Sequence, residues 1–409
     1  MHRRDRERGT CFLLYPQAPV LPAYRRPERI VLSSLPGSLG PGPCDERIYV
    51  ADAIAKAKPY GFPYLPPWTG PIHRPPSPDP DGHYDHLDPG SREFLSAHLF
   101  GAVRHTLDVW EGYLGRTIDW HFRRDLSRLE LIPLLDWDNA HSGYGFVETG
   151  WNHHRRGSAL QFALSLDTIA HEIGHSILFS EIGIPVGRHR TAQFLAFHEA
   201  MADLVALVCG MRFNSVLGHV LQATHGNLYV TNEINRIGEL SQTDQIRVAS
   251  QDVRMADVES IWLDPSGEWH DDTGQGRHAH DLGQPLLGAI FDILIEIYEV
   301  VLVEHGLISP ALDRLSRSGE YDPDRLAAVE RGFALAFEGR AQGFEEAMTH
   351  ARDYLGFALA RVIEDLAPEG LTFGRVGEAL LAADREMSDG GYAALIHESF
   401  AWRGIRLRS

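Results

Sequence analysis

The stretch SLDTIAHEIGHSIL, Ser165 to Leu178, decides how this chain is read. Its apolar residues recur at helical spacing. It predicts a helix from about Leu166 to Phe179, with Ser165 as N-cap and Asp167 against the positive end of the helix dipole. His171 and His175 stand four apart, about 40° out of register on a helix, so both imidazoles leave the same face. Two neutral imidazole nitrogens at that spacing can share one zinc ion, and Glu172 then reaches a water on the open side of the metal. Ala170, Ile173, Ile177 and Leu178 would suit an ordinary amphipathic helix equally well. Such a helix needs no matching ligand downstream.

That ligand is found in FLAFHEAMADLVALV, Phe194 to Val208. The run predicts a second helix, about Ala192 to Gly210, apolar on most faces and therefore buried. Glu199 and Asp203 lie one turn apart on one of its faces. Glu199 fits as the third metal ligand, and Asp203 can accept the free N–H of a ligating histidine and fix its tautomer. Two acids inside a buried helix are costly without such a purpose. His198 points about 100° away from Glu199 and reads as a flanking residue. Glu181 is a poorer third ligand, since six residues past His175 it is turned about 240° around the helix. A metzincin pattern would place glycine at 178 and histidine at 181, where this chain has Leu178 and Glu181.

Outward from this pair of helices, the chain reads as α+β. Upstream, FLSAHLFGAVRHTLDVWEGYLG predicts a helix ending at Gly115. RTIDWHF, LELIPLL and GYGFVETGW (116–122, 129–135 and 143–151) read as strands. Residues 1–90 are rich in proline and glycine and read as an extended segment on the surface of the fold. Residues 91–210 form a lobe carrying the metal helices, and 211–409 a helical lobe. Aspartates alternate between Asp79 and Asp88, but Pro80 and the missing distal glutamate argue against a calcium loop.

HEIGH followed by HEAMAD resembles the gluzincin metallopeptidases, in particular thermolysin and its fungalysin-like relatives. The resemblance covers roughly residues 91 to 409. It implies a thermolysin-like two-lobe fold, with a mixed, strand-containing N-lobe, an all-helical C-lobe and the zinc site between them. It implies zinc held by His171, His175 and Glu199, with Asp203 supporting a histidine and Glu172 as general base for a zinc-activated water that hydrolyses a peptide bond. Asn139 and Ala140 correspond to an Asn-Ala pair on the edge strand that binds substrate backbone. His280-Asp281-Leu282-Gly283 is similar to a His-x-x-Gly segment at a helix start, which implies His280 as donor to the oxyanion; His278 remains an alternative. FAWRGI, Phe400 to Ile405, is similar to the end of bacterial relatives. The chain departs from the pattern in two ways. The interval between His175 and Glu199 is longer and holds no tyrosine to share the oxyanion, leaving Arg188, His189 and Arg190 as the polar residues that can substitute.

The formal net charge of −18 repels nucleic acid and anionic lipid, so the basic runs at 3–8 and 153–156 read as solvated surface. No apolar run approaches the roughly 20 residues of a membrane-spanning helix, and no membrane partner is expected. The three cysteines are far apart, which argues against a disulfide framework. The apolar stretch from Cys11 to Tyr15 is too short for a secretory signal, which favours a cytoplasmic protein. The expected partner is a peptide or protein substrate and the expected cofactor Zn2+. The competing reading is a zinc-stabilised binding or scaffold protein whose hydrolase activity is lost or narrowly restricted.

Overall fold

The computed structural model describes residues 9–152, 160–187, 190–239, 245–276, 278–317 and 322–408. The basic runs at 3–8 and 153–156, together with Arg188 and His189, lie outside these. The chain is mixed α+β and divides into two compact units: Met1–Gly183 with Ala202–Gly210 and Gly238–Ile246, and Ile184–Met201 with Met211–Ile237 and Arg247–Ser409.

The first unit is built on a four-stranded sheet of order β3-β4-β6-β5, with β3 Ile48–Val50, β4 Leu129–Ile132, β5 Ala140–Gly143 and β6 Phe146–Thr149. β3, β4 and β6 run parallel, and β5 pairs antiparallel with β6 as the edge strand. Sequence reading placed one strand across 143–151. The structure instead has a hairpin there, closed by Tyr144 and by Gly145 at φ 85°, a conformation that glycine adopts without strain. β4 stops before Pro133, which has no N–H for a ladder. Residues 116–122, expected as a strand, form none. Ile118, Trp120 and Phe122 are buried in alternation as that reading required, but the backbone is held by single bonds such as Arg47 Nη2 to the Ile118 carbonyl.

Helix α1 (Arg92–Leu114) is capped by Ser91, whose hydroxyl accepts from the Phe94 N–H, and ends at Gly115 with φ 70°. It packs on β3 and β4 and on the hairpin of β1 (Thr10–Leu14) and β2 (Glu28–Leu32). The N-terminal segment, expected on the surface, is therefore part of the core. Cys11, Phe12 and Leu14 are fully buried, Phe12 and Leu14 against Gly101 of α1, and Ala51, Ala53 and Tyr60 cluster with Ile132, Leu135 and Phe146. Its prolines kept it out of long regular elements, while its aromatic residues were buried one at a time.

Two helices carry the motifs: α2 (Leu166–Glu181) and α3 (Ala192–Gly210). α2 packs on β5. Ser165 holds the N-cap position of α2, yet its hydroxyl bonds to the side chains of Asp167 and Thr168 and caps no backbone group. Asp167 instead accepts from the Thr168 N–H at 2.8 Å and the Gly238 N–H at 2.8 Å. By length and composition α3 is apolar enough to cross a membrane, contrary to the sequence expectation. Most of it is buried inside the fold, as in a core helix.

The second unit continues with α4 (Asn214–Thr224), and β9 (Ile261–Leu263) pairs with β10 (Trp269–Asp271); between them β7 (Arg236–Glu239) pairs with β8 (Gln245–Val248). From Ala279 onward every described element is helical: α5 (Ala279–Glu304), α6 (Pro310–Arg317), α7 (Pro323–Phe337), α8 (Ala341–Asp365), α9 (Phe373–Ser388) and α10 (Ala393–Trp402). α5 is the centre of this bundle and packs on α8 and α10. Arg403, in the terminal FAWRGI, is buried beside Gly288. It ties the chain end to α5 through Asp292 at 2.7 Å and to the Val253 carbonyl at 3.0 Å.

Candidate metal centre

α2 presents His171 and His175 from one face, as a 3.6-residue repeat requires. His171 is buried, and its Nδ1 lies 2.7 Å from Asp203 Oδ1 on α3, a carboxylate only 1% exposed. That bond directs Nε2 of His171 outward, to 3.2 Å from Nε2 of His175. Two nitrogens bound to one tetrahedral zinc at about 2.0–2.1 Å would stand about 3.3 Å apart. The observed spacing suits two ligands of one ion and also a hydrogen bond between the two rings.

Gly174, inside the motif, explains how α2 comes close enough for the Asp203 bond. A Cβ there would meet Ala202 Cα at 2.9 Å and Val205 Cβ at 3.2 Å, so only glycine allows this crossing of the two helices. The sequence reading did not use this residue, although a glycine within an apolar helix is its own signal for close packing.

Glu199 lies one turn before Asp203 on the unbroken helix α3. One ligand atom each from His171, His175 and Glu199 lie within 4.8 Å of one another, the only such group of three or more among the described residues. Two imidazoles and a carboxylate are a donor set that suits zinc. Glu172 is half-buried beside His171, and no hydrogen bond or ion pair engages its carboxylate among the described residues.

His280, in the first turn of α5, places Nδ1 2.7 Å from Glu199 Oε2, with its side chain about half exposed. Gly283 makes this possible, because a Cβ there would meet the Ala196 carbonyl oxygen at 2.7 Å. Glycine three residues after the histidine therefore lets α5 approach α3. His278 is the N-cap of α5, and its N–H donates to Asp281 Oδ2. His198 is buried against Phe194, with ring centroids 4.6 Å apart. Glu181 forms an ion pair with Arg116 at 2.5 Å.

Asn139 and Ala140 open the edge strand β5. Asn139 is exposed, and its Oδ1 accepts from the Ala140 N–H at 2.9 Å. Ala140 is buried with Ala18, Leu160 and Phe162. Thus His171 contacts His175 and Asp203, His280 contacts Glu199, and Ala140 lies on a strand packed against α2 with Asn139 just before it.

No protein-family model matches the chain, and no curated protein matches it in sequence. Among solved structures it is similar to the precursor of protealysin, a metalloproteinase from Serratia proteamaculans. The two are 12% identical, over 82% of this chain and 83% of that one, with a TM-score of 0.43. A score that low does not establish a common fold, so the function has to be argued from this chain's own residues.

Proposed function

We propose that the chain is a zinc-dependent metallopeptidase. What supports the reading is the grouping of His171, His175 and Glu199, whose ligand atoms lie within 4.8 Å of one another, with Asp203 bonded to Nδ1 of His171. A histidine–carboxylate bond behind a ligand is how metal sites fix tautomer and ring orientation. Zinc in such a site supplies a Lewis acid that polarises a carbonyl and makes water a nucleophile near neutral pH.

The protein groups then have distinct tasks. Glu172 accepts the proton of the attacking water and returns it to the leaving amine, a role worth about 10²–10⁴ in rate. His280 is the candidate donor to the developing oxyanion, a contribution of about 10²–10³. β5, as an edge strand, offers backbone groups to an extended peptide, which it can take up as an added strand beginning at Asn139 and Ala140. His171, His175 and Glu199 hold the metal and take no part in proton transfer.

A scaffold reading has one observation in its favour: His280 spends Nδ1 on Glu199, so its position is explained without any substrate. The two readings separate cleanly. Elemental mass spectrometry of protein purified without added metal should find about one zinc per chain, lost in Glu199→Ala. Glu172→Gln should retain the zinc and lose peptide cleavage by at least about a hundredfold. Wild-type cleavage rates in the zinc-loaded Glu172→Gln variant would refute the mechanism. Zinc without cleavage of any peptide in a diverse library would favour the scaffold.

A further inference from the structure

β6 buries Glu148 completely, near the middle of the sheet. Its carboxylate has three partners. Lys56 Nζ lies 2.5 Å from Oε1, the Tyr60 N–H donates to Oε2 at 2.6 Å, and His141 Nε2 lies 2.9 Å from Oε2. The Lys56 side chain is also fully buried, with its ammonium 3.6 Å from the centre of the Tyr60 ring and bonded to the Lys58 carbonyl at 2.8 Å. His141 belongs to β5 and stands directly opposite Glu148 in the β5–β6 register. Its ring packs between Trp137 and Phe146, with centroids 4.8 and 5.0 Å away.

β5 needs such an anchor. It is four residues long, AHSG, pairs on one side only and has no β-branched residue. A strand of that composition at an edge frays readily. A buried ion pair stabilises a fold less than apolar residues of similar volume would, so its presence calls for another explanation. Here it ends on the one side chain of β5 that points into this layer.

We propose that Lys56, Glu148 and His141 form a positioning relay that holds the edge strand β5 in register for the peptide backbone it receives. Among the described residues none of the three hydrogen-bonds to or pairs with His171, His175 or Glu199, so they are positioning residues. The inference rests on the peptidase reading for the identity of what β5 receives, and on the geometry alone for the anchoring of the strand.

Two substitutions in the full-length chain test it. His141→Phe keeps the aromatic packing and removes the bond to Glu148. His141→Gln loses the ring and keeps a donor at a similar reach. Amide hydrogen exchange over residues 140–143, zinc content, and kcat and KM on one cleaved peptide are measured for both. In His141→Phe, exchange should be about 10–100-fold faster, the range for losing one hydrogen bond to a charged group. KM should rise about tenfold, with kcat within about twofold and zinc unchanged, the pattern of lost uniform binding. His141→Gln should restore exchange and KM to within about threefold of wild type. Equal exchange in wild type and His141→Phe overturns the relay, and so does equal damage in both variants. A drop in kcat alone also overturns it. A wild type that binds zinc but cleaves nothing overturns the peptide half of the inference, while the exchange difference still decides whether the relay holds β5.

Discussion

The two units bury acidic groups in opposite ways. The first sets a cation or several donors against four of the acids it encloses. Glu148 has Lys56, Asp85 has Arg29 at 2.6 Å and Asp52 has Arg92 at 2.7 Å. Glu130 accepts from the hydroxyls of Tyr49 and Tyr60 and from the Trp68 N–H. The second unit crowds Glu296, Glu299 and Asp313 around the single guanidinium of Arg317. That group lies 2.8 Å from Asp313 but only 3.7 and 3.8 Å from the two glutamates. Burial raises Glu299 to about 8 and Glu296 to about 7. The first unit therefore meets these acids with partners, and this cluster of the second raises two glutamates by burial. The first arrangement depends on partners, the second on pH.

The largest expected effect comes from breaking an ion pair in the first unit. Lys56→Met leaves the enclosed Glu148 carboxyl short of its main partner, at a cost of about 3–5 kcal/mol. Urea unfolding followed by fluorescence measures it. Adding Glu148→Gln to that variant should recover part of the loss. A cost below about 1 kcal/mol would mean that water reaches the pair and that the contrast between the units is wrong.

Next come the two glycines that flank α3, one in each unit. Gly174→Ala pushes a methyl against Ala202 Cα, and Gly283→Ala pushes one against the Ala196 carbonyl. Overpacking costs about 1–3 kcal/mol, and the better helix propensity of alanine returns about 1. Net losses of up to about 2 kcal/mol are expected for both. They should differ in zinc affinity. Gly174→Ala moves His171 away from Asp203, and loss of such a supporting contact lowers affinity about 10–100-fold. Gly283→Ala moves His280 relative to Glu199 and should weaken zinc less. Competition with a chromophoric chelator ranks them, and the reverse order would show that the Glu199–His280 contact is the more important support.

Much of this was legible in the sequence because α2 and α3 are long, periodic and bounded by recognisable residues. That His171 and His175 share one face of α2, and Glu199 and Asp203 one face of α3, follows from register on those helices. Three features were not. β5 has neither alternation nor β-branched residues, and only its pairing with β6 makes it a strand. Residues 116–122 show the alternation of Ile118, Trp120 and Phe122, yet burial of those side chains requires no ladder. The N-terminal segment was misread because proline content reports the lack of regular elements and not exposure. Tyr60 and Phe12 are core residues on irregular or short pieces of chain. The relay from Lys56 to His141 was invisible for the same reason: Lys56 lies 92 residues before Glu148 and 85 before His141, and no local pattern encodes their meeting.

The contrast in proton binding predicts opposite pH limbs. Glu299 has an ordinary value of 4.5 and is raised in the fold, so unfolding releases its proton. Its penalty is absent below about 4.5, grows as pH rises and is complete above about 8. Glu299→Gln should therefore gain stability over wild type across that window and match it at low pH. In the first unit, burial lowers His98 to about 4, with its ring accepting from the Tyr15 N–H and bonded to the Ala163 carbonyl. Its contribution is complete above the ordinary 6.5 and is lost as pH falls through about 4. Thermal unfolding from pH 4 to 9, with hydrogen exchange to separate the units, checks both. A variant that tracks wild type at every pH would show that Glu299 is ionised in the fold.

The smallest effect is expected where burial is absent. Arg361 and Glu364 pair at 2.9 Å on α8, and Arg361 is largely exposed. Surface pairs at helical spacing contribute about 0.3–0.5 kcal/mol and weaken with salt. Arg361→Ala should lower stability by no more than that, and the difference should shrink further in about 1 M salt, where screening acts within about 3 Å. If Arg361→Ala instead cost as much as Lys56→Met, partner count and not burial would set the strength of the pairs. The distinction between enclosed acids held by partners and glutamates raised by burial would then lose its physical basis, because that distinction requires that the same pairs matter little in water.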